Sequence, residues 1–346
     1  MLHSAIRKQV FIALVCNIFA VEKYSVMPKA KPFIKWVGGK GQLIEQLESL
    51  LPADFGRWNN ATYIEPFVGG GAMLFYMLQA YPNIEHAIIN DINHDLIVCY
   101  TVVRDNVNEL IPLLQDMEAR YYAQPDMDAK REMYLQVRER YNEKNLDPIE
   151  NTAKFFFLNR TCFNGLYRVN RKGLFNVPCG KYKTPQICNE ETLRADSELL
   201  KRVEILEGDF EQTIDFAGGQ TLFYFDPPYR PLSETSNFND YTKESFNDES
   251  QVRLKSFCDM VNAKGYKFML SNSDCKGQKE GDGFFDALYH DYKIDRVMAS
   301  RNVNANGAGR GKISEILVHN YTNTRYRRLE TDFEPLQVAE PMTVYA

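Results

Sequence analysis

The run Thr221–Phe225 leads directly into Asp226-Pro227-Pro228-Tyr229. An apolar, aromatic-rich run of this length reads as a buried strand. The two prolines end it, because neither has an N–H to give to a sheet ladder and both fix φ. A carboxylate and an aromatic ring are thereby held at the carboxyl end of a strand, the edge at which open α/β sheets bind ligands. There the carboxylate can accept a hydrogen bond from an exocyclic amine, the backbone carbonyl behind it can accept a second, and the tyrosine ring can stack on a flat base. Taken alone, the tetrapeptide also suits a strand-ending turn with a surface tyrosine.

The rest of the chain alternates strands with helices, as an α/β sheet requires. Strands are expected at Thr62–Pro66, His86–Asp91, Val203–Glu207, Thr221–Phe225, Tyr266–Leu270 and Glu315–His319, and helices at Ala72–Ala80, Asp95–Val103 and Asn247–Ala263. Between Asn106 and Asn189 the alternation breaks: a charged, helical stretch from Ile111 to Asn145 precedes a hairpin, Tyr167–Pro178, with its turn at Asn170–Gly173. The expected organisation is an N-terminal extension (1–27), a catalytic part (28–105), an inserted recognition domain (106–189), a second catalytic part (190–324) and a polar tail (325–346).

A formal net charge of −5 argues weakly against a nucleic-acid partner, but a whole-chain sum hides local fields. From Asn151 to Asn189 there is no Asp or Glu, while Lys154, Arg160, Arg168, Arg171, Lys172, Lys181 and Lys183 are all positive. That is the footprint a phosphate backbone would require. The scattered cysteines form no Cys-x-x-Cys and the histidines no paired spacing, so neither a metal site nor a disulfide framework is expected, in keeping with a cytoplasmic protein. The apolar run Val10–Val21 follows Arg7 and Lys8 but is too short to span a bilayer. Residues 1–27 are expected to be dispensable, with Met27 as a natural start, and no membrane association is expected.

Two glycine turns carry further chemistry. Glu65-Pro-Phe-Val-Gly-Gly-Gly71 stands at a strand-to-helix turn where glycine permits positive φ and close ligand approach. Asp91 ends the next strand, at the spacing from which a carboxylate receives ribose hydroxyls. Tight helix–strand packing would explain the glycines equally well. Upstream, Phe33–Lys40 is a second glycine turn with Trp36 and two lysines, which suits either a ligand or a packed N-terminal strand. Asp209-Phe210, after another strand end, could receive a purine amine and pack on its ring, or be an ordinary loop.

Jointly, Lys35-Trp36, Gly39-Lys40, Glu65–Gly71, Asp91–Asn93, Gly208–Phe210 and Asp226–Tyr229 resemble the motifs of the DNA adenine-N6 methyltransferases of the Dam type, in the order of the alpha group. The resemblance covers about residues 31–320 and implies a Rossmann-like methyltransferase sheet with S-adenosylmethionine as methyl donor. On that resemblance Trp36 and Lys40 contact the donor, Phe67 and Gly69 line its site, and Asp91 holds its ribose. Asp209 receives its adenine, and Asp226 lies by its methionyl end. Asp226, Pro227, Pro228 and Tyr229 form the catalytic tetrapeptide, with Tyr229 stacked on an extruded adenine. The loop with Ser233, Asn237, Phe238 and Tyr241 resembles the family's segment beside the target base.

The hairpin resembles that of GATC-specific members: Arg160, Phe163, Asn164, Leu166, Arg168, Pro178 and Lys181 match its DNA-binding positions. Leu166, Arg168 and Pro178 would read the site, and Phe163 would fill the gap left by the flipped base. Phe163 replaces the family's tyrosine and Lys181 its arginine. A basic ribbon without sequence preference is the simpler alternative. The implied partner is double-stranded DNA, met by a monomer, with a separate cognate restriction endonuclease conceivable. Three rivals share parts of the pattern: an RNA guanine-N2 methyltransferase, a nicotinamide oxidoreductase, and a catalytically silent DNA-binding module.

Overall fold

The computed structural model describes residues 30–230, 246–278, 281–300 and 312–323. Residues 1–27, the tail 325–346 and the loop positions Ser233, Asn237, Phe238 and Tyr241 lie outside the described residues. The strands are β1 (Ala61–Glu65), β2 (Ile84–Asp91), β3 (Val203–Glu207), β4 (Thr221–Phe225), β5 (Lys267–Ser273), β6 (Lys293–Ser300) and β7 (Lys312–His319). They form one sheet in the order β3-β2-β1-β4-β5-β7-β6. Strands β3 to β5 run parallel, while β7 pairs antiparallel with both β5 and β6. This is the α/β, Rossmann-like sheet expected from the sequence.

Every residue of β1 and β4 is buried, as parallel strands covered on both faces require. Their side chains alternate between two cores. Tyr63, Leu222, Tyr224, Met269 and Leu317 face one, and Ile64, Phe223, Phe225, Phe268 and Val318 face the other. The helices on the first face are α1 (Ile44–Ser49), α2 (Ala72–Ala80), α3 (His94–Asp105), α4 (Val107–Tyr122), α5 (Met127–Asn142), α6 (Pro148–Thr161) and α7 (Glu190–Leu200). The second face is covered mainly by α8 (Asp248–Ala263) through Leu254, Phe257 and Val261.

The insert shares the first core instead of building its own: Leu110, Tyr134, Phe156 and Phe175 belong to the same buried cluster as Tyr63 and Ile89. The long helical stretch expected from Ile111 to Asn145 is two helices, because Asp126 caps α5 through the N–H of Ala129 at 2.8 Å. Helix α6 was not anticipated. Phe155, Phe156, Phe157 and Leu158 are all buried, so no amphipathic period marks it. Only its start is written in sequence, by Asp147 accepting from the N–H groups of Ile149 and Glu150 with Pro148 in the first turn. Strand β6 and helix α7 were likewise unforeseen, and β7 begins at Lys312, before Glu315.

Candidate active site and recognition hairpin

Strands β1 and β4 are neighbours, paired Thr62 to Thr221 and Ile64 to Phe223, so Glu65 ends β1 one step below the carboxyl end of β4, where Asp226 follows. The strand order reverses here, with β2 and β3 on one side and β5 on the other, which makes this crevice the topological switch point. Antiparallel β7 reaches the same edge with its opening residues, since Glu315 pairs with Ser273 at the end of β5.

Asp226 is therefore surrounded by groups from distant parts of the chain. Lys40 Nζ lies 3.0 Å from Asp226 Oδ1 and 3.7 Å from Glu315 Oε2, and the lysine is only 5% exposed. Ser271 Oγ donates to Asp226 Oδ1 at 3.0 Å. The Tyr229 hydroxyl donates to Glu315 Oε2 at 2.6 Å, and the Lys40 ammonium stands 4.3 Å from the centre of the Tyr229 ring. Burial pushes the Asp226 carboxyl above the usual carboxylate range; Lys40 and Ser271 hold it back, and the nearby Glu315 adds to the rise. Below it, Glu65 is fully buried and accepts from the Tyr63 hydroxyl at 2.6 Å. Burial, opposed by that hydrogen bond and reinforced by the charge of Asp226, pushes Glu65 up to about 8.

The loop after Asp226 is pinned by its surroundings. Gln251 of α8 donates to the Pro228 carbonyl at 3.2 Å, and Ser273 Oγ donates to that of Arg230 at 3.1 Å. Arg230 spans Asp248 at 2.7 Å and Asp282 at 2.8 Å, with its guanidinium 4.4 Å from the centre of the Phe284 ring.

The glycine turn between β1 and α2 is tightly packed by aromatic side chains. Gly69 has φ +49°, and a Cβ there would stand 2.9 Å from Trp36 Cδ1, so the turn accepts the indole only as glycine. Asp91 Oδ2 accepts from Gly69 N–H at 3.1 Å and Oδ1 from Asn93 N–H at 3.0 Å. Burial raises the Asp91 carboxyl, and these N–H groups oppose the rise. Trp36 also stacks on Tyr167 of the hairpin, with ring centroids 5.4 Å apart. Phe67 lies 5.2 Å from Phe210 and 5.7 Å from Phe246, so an aromatic cluster stands beside the Asp91 turn.

Asp209 has a partner the sequence did not reveal. Arg253 of α8 grips its carboxylate at 2.9 and 2.6 Å, donates to Glu211 at 2.8 Å, and lies over the Phe210 ring at 4.7 Å. Burial would raise the Asp209 carboxyl, but Arg253 and the Glu211 N–H outweigh it and hold it below the usual range.

The hairpin forms as the sequence indicates. Gly173 N–H bonds to the Asn170 carbonyl at 2.8 Å, closing the turn, and Val169 bridges Phe175. At its base the backbones of Cys162 and Cys179 pair as an isolated antiparallel bridge, with both thiols free, and Phe163 N–H bonds to the Pro178 carbonyl at 2.9 Å. Phe163 is 52% exposed at the hairpin base. Asn164 (φ +55°) and Pro178 are exposed next to it, as is Lys181. Leu166 is half-buried against the core. Arg168 spans the ribbon, donating to Asn176 Oδ1 at 2.7 Å and to the Asn176 carbonyl at 3.2 Å.

Arg160 departs from the expectation of a DNA contact. Its guanidinium turns inward to the Phe33 carbonyl, and Nε is buried, so it ties the N-terminal segment to α6. Buried Asn159 makes the matching joint, accepting from Lys35 N–H and donating to the Lys35 carbonyl, both at 2.8 Å. The exposed Lys35 side chain thereby sits against Gly165 on the hairpin face.

Glu315, Ser271 and Arg253 border the candidate site and were not singled out from the sequence. Only Glu315 left a trace, as a charge at the head of an otherwise apolar strand. Among the described residues, no cluster of three or more His, Cys, Asp or Glu side chains could hold a metal, and no helix is long and apolar enough to cross a membrane.

Residues 36–303 match the family described as D12 class N6 adenine-specific DNA methyltransferase. The type II methyltransferase M.MjaIII of Methanocaldococcus jannaschii is 45% identical over 296 residues, covering 85% of this chain and 100% of that protein. The type II methyltransferase M1.LlaDCHI of Lactococcus lactis subsp. cremoris is 39% identical, covering 85% and 96%. The DNA adenine methylase of Escherichia coli (strain K12) is 32% identical, covering 84% and 95%.

Proposed function

Because the chain belongs to the D12 class of N6 adenine-specific DNA methyltransferases and so methylates adenine N6 in DNA, we propose that its target is the adenine of GATC, extruded from the duplex before it reacts. The observation that carries this reading is the hairpin base, where the Phe163 N–H to Pro178 carbonyl bond holds an exposed phenyl ring beside the ribbon that presents Arg168. An aromatic wedge stabilises an unstacked step, and an arginine reads guanine through paired hydrogen bonds. Extrusion itself costs roughly a few kcal/mol, which the wedge and the basic face with Lys35 and Lys181 offset.

The residues fit S-adenosylmethionine, the family's methyl donor. Asp91 offers carboxylate oxygens beside the glycine turn, and Phe67, Phe210 and Phe246 supply an aromatic bed. Bound there, the donor supplies an electrophilic methyl on a sulfonium. Asp91 would receive its ribose, Asp209 its adenine amine, and Trp36 and Lys40 would flank it.

Adenine N6 is a poor nucleophile because its lone pair is delocalised into the ring. Asp226 and the Pro227 carbonyl, accepting from its two N–H bonds, favour a pyramidal nitrogen whose lone pair is free to attack. Tyr229 holds the base flat, and the Asp226 carboxylate stabilises positive charge as it builds on nitrogen. Most of the acceleration is positioning and electrostatics.

The type II names of two relatives support a place beside a separate endonuclease. The test is expression in a methylation-free host followed by mapping of N6-methyladenine. Methylation confined to GATC is expected. Methyl groups spread over other contexts would overturn the specificity, and methylated guanine in RNA would revive the rival enzyme class.

A further inference from the structure

We infer that Glu315 is a positioning residue for the methyl-transfer site, acting through the hydroxyl of Tyr229. The inference rests on Tyr229 being the ring that holds the target base. Tyr229 follows two prolines and precedes Arg230, whose side chain is committed to Asp248 and Asp282. Backbone contacts fix where the tyrosine begins, but the plane of its ring depends on rotation about its side-chain bonds. One strong contact is placed to set that rotation, the 2.6 Å hydrogen bond from the hydroxyl to Glu315 Oε2.

The acceptor is itself anchored. Glu315 lies in β7 between Ser273 of β5 and Val297 of β6, in register with both, so its backbone belongs to the middle of a three-strand ladder. Its carboxylate is 16% exposed and faces the nearly sealed Lys40 ammonium at 3.7 Å. Lys40 in turn contacts Asp226 and packs over the Tyr229 ring. One carboxylate therefore touches both neighbours of the reacting carboxylate: it orients the ring from its hydroxyl end and shares the ammonium that would otherwise serve Asp226 alone. A group delivered by an antiparallel strand completes a site otherwise built from parallel strand ends.

The experiment is a double-mutant cycle between Glu315→Ala and Tyr229→Phe, measured as steady-state methylation of duplex DNA alongside donor binding and thermal unfolding. Each single variant is expected to lose about 10- to 100-fold in kcat, the effect of one charge-assisted hydrogen bond, with KM for the donor changed little. The double variant is expected to be no worse than either single one. Glu315→Gln keeps an acceptor for the hydroxyl and is expected to recover most of the rate. Multiplicative losses, or a Glu315→Gln variant as slow as Glu315→Ala, would overturn the inference. So would a loss confined to thermal stability with kcat intact. If the unaltered protein methylates adenine and the cycle is multiplicative, only the role of Glu315 falls. If it does not methylate adenine at all, the reading of the site falls with it.

Discussion

Lys40 Nζ and Asp226 Oδ1 are 3.0 Å apart, and the lysine is almost sealed from water. The pair joins the first glycine turn to the Asp226-Pro227-Pro228-Tyr229 segment, so the N-terminal segment helps set the charge state of that carboxylate. A buried carboxylate without a cation would tend to take up a proton and lose its value as an acceptor of two N–H bonds. Lys40 opposes that tendency and Glu315 adds to it, and the balance leaves Asp226 raised.

Replacing Asp226 with Ala should remove an interaction made chiefly in the transition state. We expect kcat to fall by about 10³-fold or more, with the dissociation constant for duplex DNA nearly unchanged. Single-turnover methylation and equilibrium DNA binding measure the two separately. A variant with retained turnover would exclude Asp226 as the acceptor of the amine.

Glu65 should make stability fall with rising pH. Its carboxyl stands at about 8 in the folded protein against 4.5 for a free side chain. The folded state therefore holds the proton after the unfolded chain has released it. The stabilisation is complete below about pH 4.5 and is lost as pH climbs through about 8. Glu65→Gln, which keeps an acceptor for Tyr63, should flatten that slope and gain on the order of a few kcal/mol relative to Glu65 at alkaline pH. Denaturant titrations at pH 5, 7 and 9 provide the check, and an unchanged slope would count against it.

At the hairpin, Arg168→Ala is expected to cost about 1–3 kcal/mol at one base position and to relax the choice there. Asn176 now orients the guanidinium through two hydrogen bonds, so Asn176→Ala should produce a weaker version of the same defect. Methylation rates on a panel of single-base variants of GATC distinguish this from a phosphate contact, which would lower all rates alike.

Phe163 exposes 52% of its surface, so its removal should cost the free protein little stability. Phe163→Ala is expected to reduce the extruded population of the target base. A fluorescent 2-aminopurine in the adenine position should brighten less on binding than with the unaltered protein. Equal brightening would remove the wedge role from Phe163.

Much of the site was legible because local chemistry wrote it. Proline must end a buried strand and Asn170–Gly173 must turn a ribbon, so the strand end before Asp226 and the hairpin turn were found without coordinates. Arg160 misled because a basic residue in an acid-free stretch looks the same on a surface as it does pressed against the Phe33 carbonyl. Helix α6 was missed because burial on all sides erases the amphipathic period.

By itself, then, the sequence determined the strand ends, the turns and the chemical character of each motif, since these depend on residues adjacent in the chain. Only the tertiary structure decided which motifs meet. The β1–β4 pairing sets Glu65 beneath Asp226, and the reversed direction of β7 carries Glu315 to the edge where the parallel strands end. Packing also gives Asp209 to Arg253 and Trp36 to Tyr167. Long-range pairing and shared burial have no period or spacing along the chain, and for that physical reason the tetrapeptide and Lys40 were each visible in sequence while their pairing, and the second carboxylate beside them, were not.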